Sequence, residues 1–147
     1  NGGILSASSP NNPGVFSGVI TLTADSRIAG ATTQSSSGSV SISGGIIGNF
    51  GVTIGTADLT GRVIFNGVTA PKVYSYTGST IVAYGTLSLA DVTSTNTSSL
   101  LRVDANGALY LPTNTTFTKA VTLNGGLLVA AATNTTTVSS AITTISG

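Results

Sequence analysis

Pairs of apolar residues two positions apart recur along this chain at an almost constant interval. The second members of successive pairs are separated by 20, 23, 24 and 22 residues. A two-residue spacing places both side chains on one face of a β-strand, and a constant interval returns the chain to that face once per coil. The pattern therefore predicts a parallel β-solenoid, expected to be right-handed, of about six coils. The pairs are Ile20/Leu22, Val40/Ile42, Val63/Phe65, Leu87/Leu89 and Leu109/Leu111.

The domain prediction is a single solenoid over residues 1–147, and 147 residues suffice to bury one core. Residues 1–14 contain Pro10 and Pro13 and are expected to form an irregular lead-in. The first residue is not Met, and we expect the chain to be a segment of a longer or processed precursor.

An antiparallel β-sandwich is the alternative fold. Asn66-Gly67 and Asn106-Gly107 are typical two-residue hairpin turns, which join antiparallel strands. A sandwich shows turn signals every 8–12 residues without a longer repeat. The recurrence in the low twenties therefore favours the solenoid.

The stretch from Tyr76 to Leu89 resembles the autotransporter-associated β-strand repeat. The matching elements are Tyr76-Thr77-Gly78, the pair Thr80 and Val82, and Gly85-Thr86-Leu87 followed by Leu89. Weaker matches to the same repeat occur in residues 17–23 and 107–126. The resemblance implies a β-helical passenger segment of a bacterial surface protein, and hence an extracellular or cell-surface location. It implies no particular activity.

The composition argues against several classes of function. Histidine, cysteine and glutamate are absent, and only four aspartates and five basic residues are present, for a net charge of +1. Familiar zinc sites and histidine-dependent nucleophiles are thereby excluded, and five scattered cations form no stripe for nucleic acid. No apolar run approaches the ~20 residues of a membrane-spanning helix. We expect no cofactor, no metal and no catalytic residue.

An enzyme acting on polysaccharide is the least favoured alternative. Such sites need clustered carboxylates, whereas Asp25, Asp58, Asp91 and Asp104 are separated by 33, 33 and 13 residues and do not match the coil interval. We predict that Asp58 pairs with Arg62 and that Asp104 pairs with Arg102 as surface ion pairs. A serine–lysine arrangement stays open.

Two groups of residues are candidate surface sites. Tyr74, Tyr76 and Tyr84 lie within eleven residues and would form an adhesive face for a host glycan or protein. The competing interpretation is that Tyr76 and Tyr84 pack together and stiffen a coil. Asn96, Asn114 and Asn134 begin N-glycosylation sequons, although polar corners of the same composition are an equally good interpretation.

The favoured function is that of a non-enzymatic structural surface protein, a solenoid stalk or a self-assembling extracellular fibre subunit. Residues 135–145 alternate like a strand and contain no charge, proline or glycine. This profile is typical of a strand that pairs with another one. The expected partners are further copies of the chain, joined end to end or by strand pairing, or the rest of a longer surface protein. The alternative is an adhesive passenger segment.

Overall fold

The computed structural model of the chain describes residues 2–7, 12–31, 38–66, 73–90, 95, 97–113, 115–130 and 135–145, and these residues contain strands but no α-helix. The strands are β1 (Ile4–Ser6), β2 (Gly14–Phe16), β3 (Ile20–Leu22), β4 (Ser26–Ala29), β5 (Val40–Ile42), β6 (Gly45–Gly48), β7 (Val52–Ile54), β8 (Arg62–Phe65), β9 (Val73–Tyr74), β10 (Thr80–Leu89), β11 (Leu101–Leu111), β12 (Thr116–Phe117), β13 (Val121–Asn124), β14 (Leu127–Ala130), β15 (Thr137–Val138) and β16 (Ile142–Thr144).

The strands stack in three columns, and every strand ladder among the described residues is parallel. Column one contains β1, β4, β7, the first part of β10, the first part of β11, β13 and β16. Column two contains β2, β5, β8, the remainder of β10 and β11, and β14. Column three contains β3, β6 and β9, and farther along the chain the pair β12 and β15. The predicted parallel β-solenoid is therefore confirmed, and the antiparallel sandwich is wrong.

The core consists of ladders of identical or similar side chains along each column. In column two, Val40, Val63, Leu87 and Leu109 occupy successive positions in register and are fully buried. Each inward side chain contacts its counterparts in the coils on either side, and both contacts remove part of its apolar surface from water. Four of the five predicted apolar pairs thus stack on one another as expected, since Ile42, Phe65 and Leu89 follow the same register.

Strands β10 and β11 each run through the corner between columns one and two without interruption. Gly85 makes this possible in β10, because its φ of +67° is a left-handed conformation that side chains disfavour. A Cβ atom on Gly85 would also lie 2.3 Å from the Thr60 carbonyl oxygen in the preceding coil. The chain therefore bends at Gly85 inside one continuous strand.

Two expectations need correction. Ile4–Ser6 is a strand paired with β4, so the segment expected to be an irregular lead-in contributes to column one. Ile20 and Leu22 stack on β6 in column three, and β2 occupies the position beneath Val40 and Ile42. Gly45–Gly48 forms β6, in which Ile46 fills the core of column three.

Within the described part of the chain, no helix has the length and apolar character needed to cross a membrane.

Candidate functional site

Among the described residues, large exposed apolar side chains occur at both ends of the strand stack. At the N-terminal end (β1, β2 and β3), Ile4 and Val15 are 58% and 63% exposed. A cavity of about 270 Å³ opens at this end and is lined mainly by apolar side chains. The lining includes Gly3, Leu5, Phe16, Ile20, Leu22 and Ile28.

The C-terminal end (β14, β15 and β16) also carries exposed apolar side chains. Leu127, Ile142 and Ile145 are 64%, 46% and 51% exposed. Among the described strands, β14 pairs only with β11, and β16 pairs only with β13. Each of these strands therefore has one hydrogen-bonding edge without a strand partner in the described chain.

The backbone groups on the outer edges can be assigned from the bonds on the inner edges. Ala141 accepts a hydrogen bond from the Val121 N–H, and the Ile145 N–H donates to Leu123. Bonding direction alternates along a parallel strand, so the N–H and C=O groups of Ile142 and Thr144 face away from β13.

The same argument applies at the other end of the stack. Gly3 accepts from the Arg27 N–H, and the Ala7 N–H donates to Ala29. The N–H and C=O groups of Ile4 and Ser6 therefore face away from β4.

None of the six end strands contains a feature that normally blocks strand addition. Natural edge strands are protected by Lys and other charged side chains, by Pro or by bulges. The sequences of β1, β2, β3, β14, β15 and β16 include no charged residue and no proline. Interior strands do carry charge, as Arg27 in β4 and Arg62 in β8 show.

Tyr76 lies in the core and not on the surface. It is completely buried, and its hydroxyl oxygen lies 2.6 Å from that of Thr80. Burial raises the pKa of Tyr76 above its ordinary value, and the hydrogen bond with Thr80 lowers the pKa by less. The prediction that Tyr76 contributes to an adhesive face is therefore wrong, because its side chain has no exposed surface.

The other two candidate tyrosines lie on different strands, β9 and β10. Tyr74 is half-buried in column three, where its hydroxyl donates to the Ile42 carbonyl and its ring lies 5.3 Å from that of Phe65. Tyr84 is half-buried in β10, next to the Gly85 bend. The structure therefore does not bring Tyr74, Tyr76 and Tyr84 together on one face.

A buried chain of hydroxyl groups continues from Tyr76 through two neighbouring residues. Thr80 donates to the Ser98 hydroxyl at 2.9 Å, and Ser98 donates to the Leu100 carbonyl at 2.7 Å. Because Thr80 uses its proton toward Ser98, the Tyr76 hydroxyl is the donor to Thr80. Sequence reasoning missed this cluster, since Thr80 and Ser98 are 18 residues apart along the chain.

Among the described residues, the structure brings Lys119 next to Ser98, and the arrangement is structural. The Lys119 ammonium group donates to the backbone carbonyl of Ser98 and not to its hydroxyl. Ser98 is 2% exposed and its hydroxyl proton is committed to Leu100. A nucleophile needs access to substrate and a base on its own oxygen, and Ser98 has neither.

The described aspartates have separate structural surroundings. Asp25 accepts a hydrogen bond from the Gly51 N–H at 2.6 Å, and Asp58 is exposed. Asp104 forms the predicted ion pair with Arg102 at 2.9 Å and accepts from the Asn124 amide at 2.9 Å. Among the described residues, no three acidic, histidine or cysteine side chains form a group that would hold a metal ion. Asp91 lies outside the described residues.

The predicted ion pair between Asp58 and Arg62 is not formed. The Arg62 guanidinium donates to the Ser88 hydroxyl at 2.7 Å and lies 5.5 Å from the centre of the Tyr110 ring. Ser88 lies in the next coil of column two, and Tyr110 lies in the coil after that. Arg62 therefore connects three successive coils, a role that spacing along the sequence does not show.

The predicted sequon residues Asn96, Asn114 and Asn134 lie outside the described residues. Their third positions differ in exposure: Ser98 is buried, Thr116 is exposed and Thr136 is half-buried, with a hydrogen bond to the Pro112 carbonyl. The Asn96 sequon thus has its serine hydroxyl inside the core.

Comparison with known proteins yields no match to a family model, a curated protein or a solved structure.

Proposed function

We propose that this chain is a non-enzymatic structural protein whose solenoid serves as a stalk or as a self-assembling fibre subunit outside the cell. The single observation that carries the proposal is the pair of uncharged, open strand edges at the two ends of the stack. Edges of this kind add further parallel strands, because strand addition gives the unpaired backbone N–H and C=O groups hydrogen bonds and buries the exposed apolar side chains.

The interior of the molecule supports the same role. Most of its inward positions are apolar ladders, and the buried hydrogen bond between the Thr80 and Ser98 hydroxyl groups joins two coils. A rod of column-one strands at the usual spacing of about 4.8 Å is about 30 Å long. Its described residues contain no group of three acidic, histidine or cysteine side chains that would hold a metal ion. The resemblance of residues 76–89 to autotransporter passenger repeats supports placing the protein at a bacterial surface.

Electron microscopy of the purified chain at micromolar concentration tests this proposal. Long, uniform fibres are the result expected for a fibre subunit, and short isolated rods are the result expected for one segment of a stalk. Round particles without an elongated axis would contradict both forms of the proposal. Depolymerisation of an acidic or neutral polysaccharide, lost in an Asp104→Asn variant, would show an enzyme instead.

A further inference from the structure

We propose that copies of this chain join head to tail, with β16 of one copy adding as a parallel strand to β1 of the next. This inference rests on the proposed function and names the contact through which assembly occurs. The two strands are the first and last members of column one, so the joint continues a ladder that already holds the coils together. The contact joins two different surfaces, and a contact of this type generates an open filament and not a closed dimer.

The register of the joint follows from the register inside the chain. Leu5 heads a ladder that passes through Ile28 and ends with Leu123 and Thr144. Continuing this ladder places Thr144 of one copy beside Leu5 of the next, and Ile142 beside Gly3. In that register the Thr144 N–H donates to the Ile4 carbonyl, and the Ser6 N–H donates to the Thr144 carbonyl. These are the groups that face outward at the two ends.

The side chains also fit in size. A Cβ atom on Gly3 would meet nothing within 4 Å, and Gly3 lines the apolar cavity at the N-terminal end. Ile142, which is 46% exposed in the single chain, would enter this space. A large residue opposite a small one is the arrangement by which neighbouring core layers interdigitate.

The joint has a measurable geometric consequence. Column one contains seven strands in the described chain, and β16 extends one strand beyond β14 and β15. Pairing of β16 with β1 therefore gives an axial repeat of about 34 Å, which is seven strand spacings. A joint through β14 and β2 would require β1 to leave its place and would give about 29 Å.

Two proline variants block the two ends separately. Thr144→Pro removes an outward N–H from β16, and Ser6→Pro removes an outward N–H from β1, while the bonds to β13 and β4 use other residues. Thr144→Val and Ser6→Ala are the matched controls that keep the backbone donor. Each proline variant alone is expected to raise the concentration needed for fibres about tenfold or more, and each control to leave it within twofold.

A one-to-one mixture of the proline variants is the decisive measurement. The intact β16 edge of the Ser6→Pro chain can still join the intact β1 edge of the Thr144→Pro chain. Below the concentration at which either variant assembles alone, sedimentation should therefore show dimers in the mixture but monomers in either variant alone, which also shows that both variants fold.

The outcomes separate this inference from the proposed function. Wild-type fibres with both proline variants unimpaired, or an axial repeat near 29 Å, would overturn the β16–β1 joint while self-assembly stands. Wild-type chains that stay monomeric at all concentrations would overturn self-assembly and the joint together.

Discussion

The hydroxyl oxygens of Tyr76 and Thr80 lie 2.6 Å apart in the core, where both side chains are fully buried. Tyr76 leads into the first column, and Thr80 is the first residue of β10. Through Ser98 the contact extends to the next coil. A buried polar cluster therefore helps to fix the relative position of two coils, because hydrogen bonds are directional whereas the surrounding apolar side-chain contacts are not.

We predict that removing either hydroxyl of this pair destabilises the fold, and unequally. Tyr76→Phe leaves Thr80 its bond to Ser98 and should cost about 1 kcal/mol. Thr80→Val leaves the buried Tyr76 hydroxyl without an acceptor and should cost about 2 kcal/mol. Urea denaturation of both variants and of the double variant checks this. The double variant should lose less than the two single variants combined, and simple additivity would contradict the coupling.

Because Tyr76 is buried, the free energy of unfolding of the chain should depend on pH in the alkaline range. The pKa of this phenol is raised in the folded state, so the unfolded chain loses the proton first as pH rises. The free energy of unfolding should therefore be unaffected by this group below about pH 10 and fall above it, by up to about 1.4 kcal/mol per pH unit. Denaturation midpoints from pH 8 to 11.5 should fall less steeply for Tyr76→Phe, and identical slopes would contradict the prediction.

Gly85→Ala should be strongly destabilising. The φ of +67° costs a side chain about 1–2 kcal/mol, and the new Cβ would lie 2.3 Å from the Thr60 carbonyl oxygen. We expect a total loss of about 2 kcal/mol or more, measured by thermal or urea unfolding. Gly18→Ala is the control, because a Cβ there meets nothing within 4 Å. Equal stabilities of the two variants would argue against the bend at Gly85.

Leu87→Ala tests the ladder of column two. Leu87 is fully buried between Val63 and Leu109, and a cavity at this position should cost about 2–5 kcal/mol. The adjacent Thr86 is half-buried, and Thr86→Ala should change stability by less than about 1 kcal/mol. Urea unfolding of both variants measures the difference. A cost for Thr86→Ala as large as that for Leu87→Ala would contradict the inward assignment of Leu87.

Sequence alone predicted the ladder of Val40, Val63, Leu87 and Leu109, because an interval in the low twenties and a two-residue alternation are local properties of the chain. It did not assign Ile20 and Leu22 to the correct column. Successive coils differ in length, as the register pairs Ile20↔Ile46 and Leu109↔Leu128 show, so an interval by itself does not say which column a strand joins.

The surroundings of the polar residues were decided by the tertiary structure. Tyr76 carries a hydroxyl, which suits a surface, but Thr80 accepts from that hydroxyl inside the core and in turn donates to Ser98. Arg62 was expected to pair with Asp58 four residues earlier, and it contacts Ser88 and Tyr110 from the next two coils. The sequence by itself determined the solenoid, since apolar periodicity acts strand by strand. Only stacking decided the polar contacts, because hydrogen bonds depend on which atoms from distant coils meet within about 3 Å.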